Sequence, residues 1–117
     1  MENENMKMDV RTVKDVRIVD WSGKITLGEE TMSFRQTVRD LVKHGAKKIV
    51  INLRDVVYID SSGVGELVST YATVTNNGGQ LKLLKLSNKI HEFLTLTKLL
   101  TVFEVFDNEQ DALASFE

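Results

Sequence analysis

Near the middle of the chain four small or polar residues, Asp60-Ser61-Ser62-Gly63, separate two patterned stretches. They are residue types that do chemistry at short range: a carboxylate, two hydroxyls, and a glycine followed closely by Gly65. A serine hydroxyl can attack an acyl group if a base activates it, or can accept a phosphoryl group. Asp and Ser can equally act as caps, their side-chain oxygens accepting the N–H groups that open a helix. Gly63 and Gly65 leave the backbone bare, which permits close approach by another molecule.

Serine hydrolysis is poorly supported. The nucleophile motif Gly-x-Ser-x-Gly is absent, since Ile59 stands two residues before Ser61 and Asp60 two before Ser62. A triad also needs a histidine, and His44 and His91 read as solvated surface residues. Gly63-Val64-Gly65 lacks the third glycine of a dinucleotide loop and the Lys of a P-loop. Asp55 and Asp60 form no metal-ligand cluster, so neither a metal nor any other cofactor is expected. A receiver with Asp60 as phosphoacceptor would want acids near Trp21-Ser22-Gly23-Lys24, and there are none. The chain is therefore expected not to be an enzyme.

The elements that must position these residues are readable from period. Ile49-Val50-Ile51 and Val56-Val57-Tyr58-Ile59 are strand-like, whereas Val64, Leu67, Val68, Tyr71 and Ala72 recur at helical spacing. The junction predicts a strand, a short loop and a helix running to about Asn76, stopped by Asn77-Gly78-Gly79. Upstream, residues 1–9 are polar and patternless and read as a tail. Two short strands follow at 10–13 and 16–21, turning at Lys14-Asp15, and Ser22-Gly23-Lys24 and Thr26-Leu27-Gly28 then break the pattern. A helix from about Glu30, with Phe34, Val38, Leu41 and Val42 on one face, ends at His44-Gly45. Downstream come a strand at 80–86, a helix capped by Ser87-Asn88, a strand at 102–106, and a short helix capped by Asn108 with Asp111.

This order, β-β-α-β-α-β-α-β-α, predicts a single α/β domain. Its mostly parallel or mixed sheet has about five strands and about four helices, and the first two strands pair antiparallel at one edge. Binding sites in such sheets lie beyond the carboxyl ends of the strands, where the Asp60 loop and the segment 23–28 fall.

Composition narrows the partners. At 117 residues one domain is expected, and 42% apolar with 27% charged residues is ordinary for a globular chain. A net charge of −2 with no basic stripe argues against direct binding of nucleic acid. There are no cysteines, so disulfides and thiolate chemistry are excluded, in keeping with a reducing compartment. With no membrane-length apolar stretch and no signal-peptide core in MENENMKMD, a cytoplasmic protein without membrane association is expected.

The run Tyr58-Ile59-Asp60-Ser61-Ser62-Gly63-Val64-Gly65 resembles the signature of the STAS-domain anti-sigma factor antagonists of bacteria. The likeness extends from about Val10 to the end. It takes in Gly23-Lys24-Ile25, Ile49-Val50-Ile51-Asn52-Leu53, Asn77-Gly78-Gly79 and Phe103-Glu104-Val105-Phe106. It implies a STAS domain at 10–117 that regulates transcription by partner switching. The unphosphorylated form would bind an anti-sigma factor that is also a serine kinase, and so free a sigma factor. Phosphorylation of the serine after the aspartate, here Ser61, would block binding, and a serine phosphatase would restore it. Asp60, Ser62, Gly63, Val64, Gly65, Lys24 and Thr26 would form the partner-binding loops, with Ser62 as the cap of the following helix and the chain a monomer. Many antagonists carry acids where this chain has Lys24 and Thr26, so partner specificity is expected to differ. Related domains also serve as scaffold subunits of stress-signalling complexes, the alternative reading.

Overall fold

In the computed structural model, residues 7–25 and 29–117 are described, Glu29–Thr31 by backbone alone. The elements are β1 (Lys7–Val13), β2 (Val16–Ile25), α1 (Glu29–Lys43), β3 (Lys48–Ile59), α2 (Ser61–Asn76), β4 (Gln80–Leu84), α3 (Asn88–Leu96), β5 (Val105–Phe106) and α4 (Glu109–Ala114). One five-stranded sheet has the order β1-β2-β3-β4-β5, with β1 antiparallel to β2 and every other pair parallel. The element order and the antiparallel edge are those expected from sequence.

Apolar alternation divides the core between the two faces of the sheet. On the front face Val19, Trp21, Ile25, Ile49, Ile51, Leu53, Val56, Ile59, Leu81 and Leu83 pack with α1, α2, α3 and Phe103. On the back, Val16, Ile18, Val50 and Leu84 are covered by Ala112 of α4, with Leu113 and Phe116. The leucines of β4 do face both sides, as their density suggested. Trp21 stacks on Phe34 of α1, ring centroids 3.9 Å apart and planes within 5°. Among the described residues its indole N–H is buried without an acceptor, a cost of about 1–3 kcal/mol that the stacking and burial of this large ring must outweigh.

Several boundaries differ from expectation, each for a non-local reason. β1 begins at Lys7, so residues 7–9 of the supposed tail are strand; they pair with Asp20, Trp21 and Ser22. Ser22-Gly23-Lys24 does not end β2. The strand passes through them to Ile25 by shifting register against β3 and by a left-handed Gly23 at φ 91°. β4 stops at Leu84, where Lys85 turns left-handed at φ 61°. β5 is two residues long rather than five, since a 3-10 turn occupies Leu99–Thr101 and Phe103 drops into the front core.

β3 carries the site and is irregular by design. Asp20 and Ser22 of β2 face Asn52 and Asp55, and Gly23 and Lys24 face Val56 and Tyr58, so β3 twice spends an extra residue against its neighbour. Its inward side chains therefore run Ile49, Ile51, Leu53, Val56, Ile59. The second bulge turns two successive side chains outward: Val57 is 63% exposed and Tyr58 43%. Bulges commonly re-aim side chains beside functional sites.

Candidate functional site

The site forms where β3 gives way to α2. Asp60 is the N-cap, extended at φ −102° and ψ −176°, and its Oδ1 accepts the Gly63 N–H at 3.0 Å. The Asp60 carbonyl accepts the Val64 N–H at 3.0 Å. The Asp60 N–H in turn donates to the Ile25 carbonyl at 3.1 Å, tying the cap to the end of β2. Ser61 is thereby the first helical residue and is exposed; Ser62 follows, half-buried. The expectation that Ser62 caps α2 is corrected: only a residue held extended can aim its side chain back at the first turn, and the bond to Ile25 places Asp60 there.

The two glycines have different reasons. A Cβ on Gly63 would lie 2.6 Å from Ile59 Cγ1, 2.7 Å from Ile25 Cγ2 and 3.0 Å from the Ile25 carbonyl oxygen. Gly63 is buried, and its bareness serves packing inside the domain rather than the approach of a partner. Gly65 is exposed and a Cβ there would meet nothing within 4 Å. Val64, also named from sequence, points into the front core at 3% exposure. Lys24 is exposed and sits opposite Tyr58 in register, at the same end of the sheet. Thr26 lies outside the described residues.

Sequence reasoning missed Glu66. It is the one charged residue of α2, buried to 5% exposure, and it accepts from Arg35 of α1 through both carboxylate oxygens at 2.9 and 2.8 Å. Pairing with Glu66 raises the Arg35 pKa further above its ordinary range. The signal was available: a single acid beside Leu67, inside the apolar spacing of an otherwise uncharged helix. The consequence is that the outward face of α2, including Ser61, Gly65, Ser69, Ala72 and Asn76, presents no charge. Val57 and Tyr58, turned out by the bulge, were likewise not anticipated as surface residues beside Ser61.

The geometry offers an exposed hydroxyl on a fixed backbone, and among the described residues no histidine or other base is bonded to it. His44 and His91 are both exposed, as expected, and His44 Nδ1 lies 2.7 Å from the Asp40 carbonyl of its own helix. Among the described residues no group of three His, Cys, Asp or Glu could hold a metal ion, and no helix is long and apolar enough to cross a membrane.

Known proteins give the arrangement a context. A family model described as the STAS domain matches residues 7–112. The chain is 25% identical over 113 residues to an anti-sigma F factor antagonist of Paenibacillus polymyxa, 97% of each chain being covered. It is 31% identical over 101 residues to the anti-sigma-B factor antagonist of Bacillus subtilis (strain 168), covering 86% of this chain and 91% of that one. In fold it resembles the crystal structure of an anti-sigma factor antagonist from Mycobacterium paratuberculosis, with a TM-score of 0.85 and 22% identity over 97% and 96% of the two chains.

Proposed function

The chain belongs to the STAS domain family, and from that premise we propose that it is an anti-sigma factor antagonist switched at Ser61. Unphosphorylated, it binds an anti-sigma factor that is also a serine kinase and so frees a sigma factor. Phosphorylated on Ser61 it cannot bind, and a serine phosphatase resets it. The protein acts by binding in the cytoplasm and catalyses nothing itself. Asp60, Ser62, Gly65 and Lys24 border the docking surface; Gly63 and Val64 shape it from beneath.

The observation that supports this reading is the exposed hydroxyl of Ser61 on the first turn of a helix whose outward face is uncharged. A phosphate there adds about −1.5 to −2 charges at neutral pH. Within the domain, the partial positive charge of the helix N-terminus tolerates it. A partner surface fitted to a neutral hydroxyl must instead bury a charge without a counter-ion. A loss of about 3 kcal/mol weakens a complex by roughly a hundredfold.

Affinity capture with Ser61→Ala and Ser61→Asp tests the switch. The alanine form is expected to retain the anti-sigma factor and the aspartate form to lose it. Equal retention by both would refute the role of Ser61.

A further inference from the structure

The sheet has an open edge along β1, which among the described residues has β2 as its only strand neighbour. The opposite edge, β5, has two residues and offers little to pair with. β1 is seven residues long and pairs with β2 in unbroken register from Lys7↔Ser22 to Val13↔Val16. A two-residue turn, Lys14-Asp15, closes that hairpin, which makes Val13 and Val16 a hydrogen-bonded pair. Hydrogen-bonded and non-bonded pairs alternate in an antiparallel ladder. Lys7, Asp9, Arg11 and Val13 therefore spend their N–H and C=O groups on β2. Met8, Val10 and Thr12 turn theirs outward, toward the open edge.

We propose that this edge is a self-association surface, on which β1 of a second copy of the chain pairs antiparallel about a two-fold axis at Val10. Charge selects the register. Registers that match outward groups with outward groups and pair at least five residues of β1 are centred on Asp9, Val10 or Arg11. A centre at Asp9 sets Asp9 against the partner's Asp9 and Lys7 against the partner's Arg11. A centre at Arg11 opposes the two Arg11 side chains. The centre at Val10 alone sets Asp9 against the partner's Arg11 on both sides of the axis, with Met8 opposite the partner's Thr12. Opposed cross-strand charges stabilise such pairs and like charges destabilise them.

The side chains suit this arrangement. Val10 is 42% exposed at the middle of the strand, an apolar residue the pairing would cover. Arg11 is held in place by Asp20 and Glu109, which together take four of its N–H bonds. A guanidinium has five donors, so among the described residues one remains for the partner's Asp9. The two copies would share one continuous ten-stranded sheet, with contact made in the same patch of each, as two-fold symmetry requires. Ser61 follows β3, two strands in from the edge, so pairing leaves it accessible and the proposal stands independently of the Ser61 switch.

Sedimentation velocity across micromolar to millimolar concentration tests this. The wild type is expected to reach twice the chain mass. Val10→Pro removes an outward N–H while sparing the ladder to β2, and Asp9→Arg faces the partner's Arg11 with a like charge. Both are expected to sediment at the single-chain mass with unchanged far-ultraviolet circular dichroism. Amide exchange should slow at Met8, Val10 and Thr12 as the dimer forms. A wild type that stays monomeric at millimolar concentration would overturn the proposal. So would a dimer that survives Asp9→Arg.

Discussion

At Gly63 one hydrogen atom separates a seated helix from a displaced one. A methyl group there meets two isoleucine side chains, which could yield, and the Ile25 carbonyl, which belongs to the backbone. Gly63→Ala is expected to cost about 1–3 kcal/mol by urea unfolding, the usual cost of overpacking. Gly65→Ala, with open space around it, should be neutral or slightly stabilising, since alanine suits a helix interior better. Asp60→Ala removes the cap and should cost about 1 kcal/mol in the same assay. The presence of a cap was legible in Asp60-Ser61-Ser62, because these residue types have few other uses at a change of period. Which of them caps was not legible, for it depends on a bond to Ile25, thirty-five positions earlier in the sequence.

Among the elements, α4 is short and depends on what grips it. Arg11 of β1 bonds Glu109 at its first turn, and Lys82 of β4, 3% exposed, donates to Ser115 Oγ at 2.8 Å and lies 4.4 Å from the Phe116 ring. The hydrogen bond from Arg11 holds Glu109 below its ordinary carboxylate pKa. Burial opposes ionisation of Asp20, but bonds from Arg11 and Asn52 outweigh it and leave this carboxyl low as well. Both pKa values fall on folding, so their contribution is complete above the ordinary carboxylate range, near pH 4, and is lost as pH falls through the lower folded values. Urea midpoints should thus drop on acidification below about pH 4, and Arg11→Met should flatten that slope while loosening amide exchange in α4. The α1–α2 junction behaves differently. Arg35→Ala strands Glu66 in a buried place, whereas Glu66→Gln keeps a neutral hydrogen-bonding group there, so thermal unfolding should show the larger loss for Arg35→Ala. Elements were largely legible because helix and strand periods are local. Gly45, Ser87 and Asn108 punctuate them where expected, with Gly45 left-handed at φ 95° and the other two accepting N–H groups of their own first turns. The pairs Arg35–Glu66 and Arg11–Glu109 were not legible, since nothing in a charged residue's neighbours in sequence names its partner across the fold.

Among the described residues the sheet is covered unequally: three helices on the front, one six-residue helix on the back. Beside α4 the back face is polar, with Arg11 and Asn52 both donating to Asp20, while the exposed Val57 and Tyr58 lie farther along β3. Ser61 owes its place to this sheet more than to its own contacts, through the two extra residues of β3. In a strand, side chains alternate between two faces, so an extra residue exchanges odd positions for even ones, and a second restores them. Ile59 is inward because each extra residue of β3 is taken up by its own register shift. Removing Val57 would erase the second extra residue together with the bulge that absorbs it. Val56, Tyr58 and Ile59 would then face Gly23, Lys24 and Ile25 one for one, so Ile59 would stay inward and the cap at Asp60 would keep its bond to Ile25. Val57→Ala, a change to a 63% exposed side chain, should scarcely move the melting temperature, and deletion of the same residue should keep a single cooperative transition. The position of Ser61 is kept by register, and β3 can give up its spare residue without losing a single chemical group of the site.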